Sequence, residues 1–389
     1  MYDKASIALI PSGTKTGKLY SVLPANDDGD FIFERGTTAT RVNKDGLIET
    51  VSSDIPRLDY PITNGVVGDC PNLLLEPLRT NLVNYSEDFT QWIATSVTVT
   101  PNQVLAPDGT LTADKLDFSA STSARLAKVI SASSGTYIFS VYLKSVSGSG
   151  DFKLALFKQG GTSTIKTVSL TEEWQRFELE YTYDGLTNLI PYVGYYIDDT
   201  YLQEVYAWGA QLEQGSYATS YIPTIGLAET RLADSCYNSG TSAEFNDSEG
   251  VLFAEIASFV SSGTSRRIAI SDGAVSGGGN NRLEILYSSS TNLINFQVFS
   301  GGIFQGSRSY TVTDITDFNK VAVKYKKDDY ALWINSVEVA TMTSGNTPTG
   351  LNTLRFEDGS GGNDFYGKCK QLIYFNEALS DSELQTLTS

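Results

Sequence analysis

Histidine is absent from all 389 residues, and basic side chains are few: 28 Lys+Arg stand against 45 Asp+Glu, a formal net charge of −17. Without imidazole there is no Ser-His-Asp or Cys-His catalysis, no His-ligated zinc or haem, and no imidazole pH switch. The acidic balance argues against nucleic acid as a partner, because such binding needs Lys and Arg to neutralise phosphates. Cysteine is almost as rare. Cys70, Cys236 and Cys369 are odd in number and far apart, which speaks against a disulfide framework or a zinc ribbon and leaves buried free thiols as the expectation. Long hydrophobic runs are missing too. The stretch Ala5-Ser6-Ile7-Ala8-Leu9-Ile10 is too short for a signal-peptide core, and no run approaches the roughly 20 residues that span a bilayer. A role outside the cell would therefore call for release by lysis.

Helical periodicity is nearly absent as well. What recurs is short runs of Val, Ile, Tyr, Phe and Thr between Gly, Ser, Asn and Asp clusters, the pattern of antiparallel β-sandwiches. The expected class is all-β: an irregular N-terminal β region followed by two antiparallel β-sandwiches, the first with jelly-roll spacing, and a short C-terminal helix. Residues 1–84 are rich in turn signals and in proline, and such a segment should pack on a neighbouring domain or subunit. Residues 85–224 hold nine candidate strands. In Tyr137-Ile138-Phe139-Ser140-Val141-Tyr142-Leu143-Lys144 the odd-numbered residues share one face, as a half-buried strand requires. Residues 225–247 are low in hydrophobicity and read as a linker. Residues 248–389 form the second sandwich, closed by a helix whose Ser380-Asp381-Ser382-Glu383 is a capping box ahead of Leu384 and Leu387. The loops Gly277-Gly278-Gly279 and Gly359-Ser360-Gly361-Gly362 are glycine-rich, but neither precedes a helix or a Gly-Lys-Ser/Thr, so phosphate binding is not expected.

Several segments resemble known proteins. Thr40-Arg41-Val42-Asn43-Lys44-Asp45-Gly46-Leu47-Ile48-Glu49, Pro56-Arg57-Leu58-Asp59-Tyr60 and Cys70-Pro71-Asn72 through Glu76-Pro77-Leu78-Arg79-Thr80-Asn81-Leu82 resemble a module of bacteriophage virion proteins, chiefly fibre, spike and tail components. Ser86-Glu87-Asp88-Phe89-Thr90-Gln91-Trp92, Ala106-Pro107-Asp108-Gly109-Thr110 and Trp208-Gly209-Ala210-Gln211-Leu212-Glu213 are similar to a jelly roll related to carbohydrate-binding modules. Lys320 to Tyr325, Leu332-Trp333-Ile334-Asn335 and Tyr374 to Asp381 resemble a concanavalin A-like (laminin G-like) sandwich. The resemblance implies a place on a phage particle, assembled in the host cytoplasm and freed by lysis. It also implies other virion proteins as partners and a homo-oligomer, a trimer by the habit of fibres, although no coiled-coil heptads are present.

Catalysis without histidine would fall to paired carboxylates. The glucanase signature Glu-x-Asp-x-x-Glu is missing. Glu255 and Glu284 stand alone, while Asp198-Asp199 and Glu178 with Glu180 read as solvated acids. The chain is therefore expected to be non-enzymatic. Glycan binding needs aromatic faces beside amides and carboxylates. If Leu332 and Ile334 fill the core, Trp333 and Asn335 lie on the opposite sheet face as a sugar platform, unless the indole packs under a loop or subunit. Tyr195, Tyr196, Tyr201 and Tyr206 suggest an aromatic groove, with core or interface burial as the alternative. Trp174 and Trp208 are expected in the core. No cofactor is expected. Calcium is the one metal the composition could serve, at Asp27-Asp28-Gly29-Asp30, at Asp198-Asp199, or at Asp314 and Asp317. Three functions stay open: a virion protein that adsorbs to host-surface glycans, a purely architectural virion protein, and a polysaccharide depolymerase. The net charge favours neutral sugars over acidic ones.

Overall fold

The structure is a computed structural model that describes residues 2–63, 65–273, 279–359 and 361–389. Gly277 and Gly278 of one glycine-rich loop, and Ser360 of the other, lie outside the described residues. The chain is all-β, with two antiparallel sandwiches and one short C-terminal α-helix, Asp381–Leu387. In that helix the Glu383 carboxylate accepts from the Ser380 N–H at 2.9 Å and from its hydroxyl at 2.7 Å, so the capping box forms as expected.

The first sandwich faces two five-stranded sheets across an apolar core. One sheet runs Ile93–Thr95, Ala124–Ala127, Leu189–Ile197, Gly150–Lys158, Ser163–Leu170. The other runs Thr98–Val104, Ala113–Asp117, Glu204–Gln214, Gly135–Ser145, Gln175–Tyr183. Alternation in Gly135–Ser145 sends Tyr137, Phe139, Val141 and Leu143 inward to meet Leu154, Leu156 and Val193 from the facing sheet. Trp208 is buried on the outer side of its sheet against Tyr221, whereas Trp174 is half-buried and donates its indole N–H to the Leu105 carbonyl at 3.0 Å.

The second sandwich pairs an eight-stranded sheet with a five-stranded one. Its backbone is Gly367–Phe375, which pairs with Glu249–Ser258 on one side. On the other side it pairs with two strands from the chain's beginning, Ala5–Leu9 and Asn72–Leu75; Arg57–Asp59 then extends the sheet from Asn72–Leu75. The N-terminal region is thus built into the last sandwich. The segment 225–247 is likewise paired: Glu229–Arg231 with Arg79–Asn81, and Ser235–Tyr237 with Phe31–Glu34. It reads as a linker because charged Arg231, Asp234 and Glu244 stand among the few side chains it buries, beside only Cys236 and Phe245 from the apolar set.

Those charges meet at one point. The Arg57 guanidinium binds Glu76 at 2.6 Å and also pairs with Asp234. Arg231 binds Glu76 at 2.5 Å, and Arg35 binds Asp234 at 3.0 Å. Ser220 adds two bonds to Glu76, from its N–H and its hydroxyl, each 2.7 Å. All five charged residues are buried. Burial alone would push the Glu76 carboxyl up, but Arg231, Arg57 and the Ser220 donors hold it well below the usual carboxylate range. This hub ties the N-terminal region, the exit of the jelly roll and the 225–247 segment together. Removing a single partner would strand a buried charge. Arg57, Glu76 and Asn81 belong to the segments that carry the virion-protein resemblance, and Asn81 is also buried, donating to the Ile222 carbonyl at 2.9 Å.

The cysteines divide. Cys236 and Cys369 are buried free thiols, as expected, while Cys70 is exposed.

Candidate functional site

Trp333 does not present a platform. Its neighbours Leu332 and Ile334 do enter the sandwich core, so the alternation argument holds, and Trp333 points to the other face of the sheet. That face is covered. The C-terminal helix lays Leu384 and Leu387 over it together with Leu379, leaving Trp333 only 6% exposed. The helix is fastened from outside by Lys4, which binds Glu383 at 2.8 Å and Glu377 at 3.0 Å. Asn335 is exposed, but it serves a hairpin: it and Ser336 both take positive φ (47° and 72°), and its side chain accepts the Lys320 N–H at 2.9 Å.

The tyrosines of the jelly roll behave differently. On the outer face of the sheet containing Leu189–Ile197, four rings touch in a chain. Phe157 lies 5.3 Å from Tyr192 and 4.6 Å from Tyr195, and Tyr195 lies 5.0 Å from Tyr192 and 4.5 Å from Tyr196, centroid to centroid. In an ordinary strand Tyr192 and Tyr195 would point to opposite faces. Here the register slips: Leu126 faces Val193 while Arg125 faces Tyr195, leaving Gly194 as an extra residue with φ 74°. The bulge brings Tyr195 round to the side of Tyr192. A second slip beside it puts Tyr196 at φ 51° and turns it outward, 42% exposed. Gly194 is obligatory on two counts, since a Cβ there would lie 2.3 Å from the Phe118 ring as well as carry the positive φ.

Two cations border the rings. The Arg125 guanidinium sits 5.4 Å from the Tyr196 centroid, and Lys153 Nζ lies 4.0 Å from that of Tyr201 while donating to the Tyr196 carbonyl at 3.2 Å. Tyr201 thus joins the patch at its margin through Lys153. Partial burial pushes the Tyr192 and Tyr195 phenols up, so both remain O–H donors at neutral pH. Exposed Ile93 and Ile165 extend the apolar surface along the flanking strands. Tyr206 lies apart, on the other sheet, where Lys144 sits between it and Trp174. Phe157 and Tyr192 were missed from sequence. The signal that could have found them is the Gly within Tyr192-Val193-Gly194-Tyr195-Tyr196, since glycine inside a strand marks a bulge.

The acidic candidates have local duties. Asp198 accepts from the Thr200 N–H at 3.0 Å and from its hydroxyl, which holds its carboxyl below the usual range. Asp314 accepts from the Thr316 N–H and hydroxyl, both at 2.8 Å, and Asp30 pairs with Lys18 at 2.6 Å. Glu178 and Glu180 are exposed, and Glu284 is buried against Arg267 and Arg282. Among the described residues no group of three or more Asp, Glu or Cys side chains could hold a metal ion.

No family model matches the chain, and no curated protein does so either. Similar solved structures include the CBM40 domain of the Ruminococcus gnavus IT-sialidase bound to α2,3 sialyllactose, at 17% identity and TM-score 0.32, covering 37% of this chain and 84% of that one. A leech intramolecular trans-sialidase matches at 20% identity and TM-score 0.32, covering 37% of this chain and 23% of its own. The CBM22-1 xylan-binding domain of Paenibacillus barcinonensis Xyn10C matches at 17% identity and TM-score 0.28, covering 36% and 94%.

Proposed function

We propose that this protein is a non-catalytic glycan-binding component of a bacteriophage-type virion, and that the aromatic outer face of the jelly roll is its binding surface. The carrying observation is the bulged strand that gathers Tyr192, Tyr195 and Tyr196 with Phe157 on an open face between Arg125 and Lys153. Rings of this kind stack on sugar C–H groups, while phenol O–H groups and the flanking cations donate to hydroxyls. Copies displayed together would turn weak single-site binding into useful avidity. The N-terminal resemblance supports the virion setting and a homo-oligomeric arrangement. Screening the full chain on a glycan array and then measuring particle adsorption in its presence tests the reading. Glycan hits with competition for adsorption are expected; an empty array with unchanged adsorption would refute it.

A second reading has its own observation. Ile225 is 90% exposed and Leu227 73%, next to a depression lined by Leu82, Ile93 and Val129. Such an apolar ridge favours a purely architectural role against other virion subunits. It would gain if Ile225→Asp with Leu227→Asp abolished incorporation into particles, and would fall if incorporation were normal.

A further inference from the structure

A cleft of about 210 Å³ opens where all three parts of the chain meet. Arg41 comes from the N-terminal hairpin, Tyr142 and Arg176 from the jelly roll, and Phe259 and Lys368 from the last sandwich. Three cations line it beside two carboxylates, Asp59 and Glu76, the second of which is held by Arg57 and Arg231. Arg41 is neutralised by Glu49 at 2.6 Å. Arg176 is not: it donates to the Thr219 carbonyl at 2.7 Å and the Ser140 hydroxyl at 2.9 Å, both neutral acceptors, and pairs with no carboxylate among the described residues. Its Nε is buried and lacks a partner. Among the described residues Lys368 reaches only Asp59, at 3.8 Å, too far for a hydrogen bond, and Asp59 already accepts the Val42 N–H at 2.9 Å. A half-buried guanidinium without a carboxylate partner and an ammonium without a close acceptor among the described residues therefore line one cavity, with Phe259 on its wall.

We propose that this cleft binds a single sugar ring carrying an oxyanion, with Arg176 and Lys368 as its charge partners and Phe259 against the ring. Net charge acts against anions at long range, but salt screens it over about 8–10 Å, so the adjacent cations govern binding inside the cleft. Sugar carboxylates and free inorganic oxyanions share this chemistry, and the two are separable by probe. The site is independent of the tyrosine face.

The test is calorimetric titration of the full chain at fixed ionic strength with glucuronate, glucose and inorganic sulfate. Glucuronate should bind saturably, glucose should not, and sulfate should compete with glucuronate. Lys368→Gln, at a partly exposed position that leaves the fold intact, should weaken glucuronate about tenfold or more, as should Arg176→Gln in samples with native circular dichroism. Tyr195→Ala should leave this binding unchanged. Absence of saturable glucuronate binding, an affinity untouched by Lys368→Gln, or loss on Tyr195→Ala would each overturn the proposal; sulfate binding without glucuronate would overturn the assignment of a sugar ring.

Discussion

Replacing Glu76 with Gln keeps the shape of the buried hub and removes one charge. Arg57 and Arg231 then share the single remaining carboxylate of the cluster, Asp234, which already serves Arg35. Glu76 accepts four bonds in all, two from guanidinium groups and two from Ser220, and none can be replaced by water because the site is buried. Breaking a buried pair from one side costs about 3–5 kcal/mol. For a unit of 150–250 residues that corresponds to a Tm lower by roughly 6–20 °C. The pH response carries a second signature. The Glu76 carboxyl is depressed in the folded chain, so its contribution is present above the ordinary carboxylate value and is lost as pH falls from about 4.5 towards 2. Denaturant titrations of both proteins between pH 7 and pH 2.5 would read both effects. The difference between them should be largest at neutral pH and shrink on acidification. A loss under 1 kcal/mol at pH 7, or a gap that does not narrow in acid, would refute the hub as the fastening of the N-terminal region.

Gly194→Ala should destabilise the jelly roll by roughly 2–5 kcal/mol through the positive φ and the clash with Phe118, read by thermal melting. Trp333→Ala should cost about 3–5 kcal/mol and Trp333→Phe much less, with glycan binding unchanged in both, because the indole is packed beneath the helix. Asp114 is buried, and desolvation raises its carboxyl to about 6 although Phe89 and Asn102 N–H groups donate to it. Its raised value means stability is fully present below the ordinary Asp value and is lost as pH rises through 6; wild type should therefore lose stability relative to Asp114→Asn between pH 4 and pH 7, and carbon-detected NMR should place the midpoint near 6.

Much of the fold is legible in the sequence because local rules decide it. Alternation marks Gly135–Ser145, and Ser380 with Glu383 marks the start of the helix. What is not legible is carried by contacts between distant parts of the chain. Ala5–Leu9 pairs with Gly367–Phe375, and nothing in either strand names the other. The 225–247 segment looks solvated because Arg231 and Asp234 are polar, yet both are buried once Glu76, Arg57 and Arg35 supply their partners. Trp333 shows the same limit from the other side: period-two reasoning gave the correct face, but only the packed structure shows the helix that covers it. The tyrosine cluster stood out by density alone. Its geometry depends on a register slip that period-two reasoning cannot place, which is why Tyr206 was grouped with it and Phe157 was not.

The central claim is that the bulged tyrosine face binds glycan, and the most direct measurement compares wild type with Tyr195→Ala/Tyr196→Ala on the glycans that wild type recognises. Both rings lie on the outer face, so the melting temperature should hardly change. The affinity should fall about thirtyfold or more, since even one stacked aromatic anchor contributes roughly 2 kcal/mol. Equal affinity in a folded double variant would contradict the account.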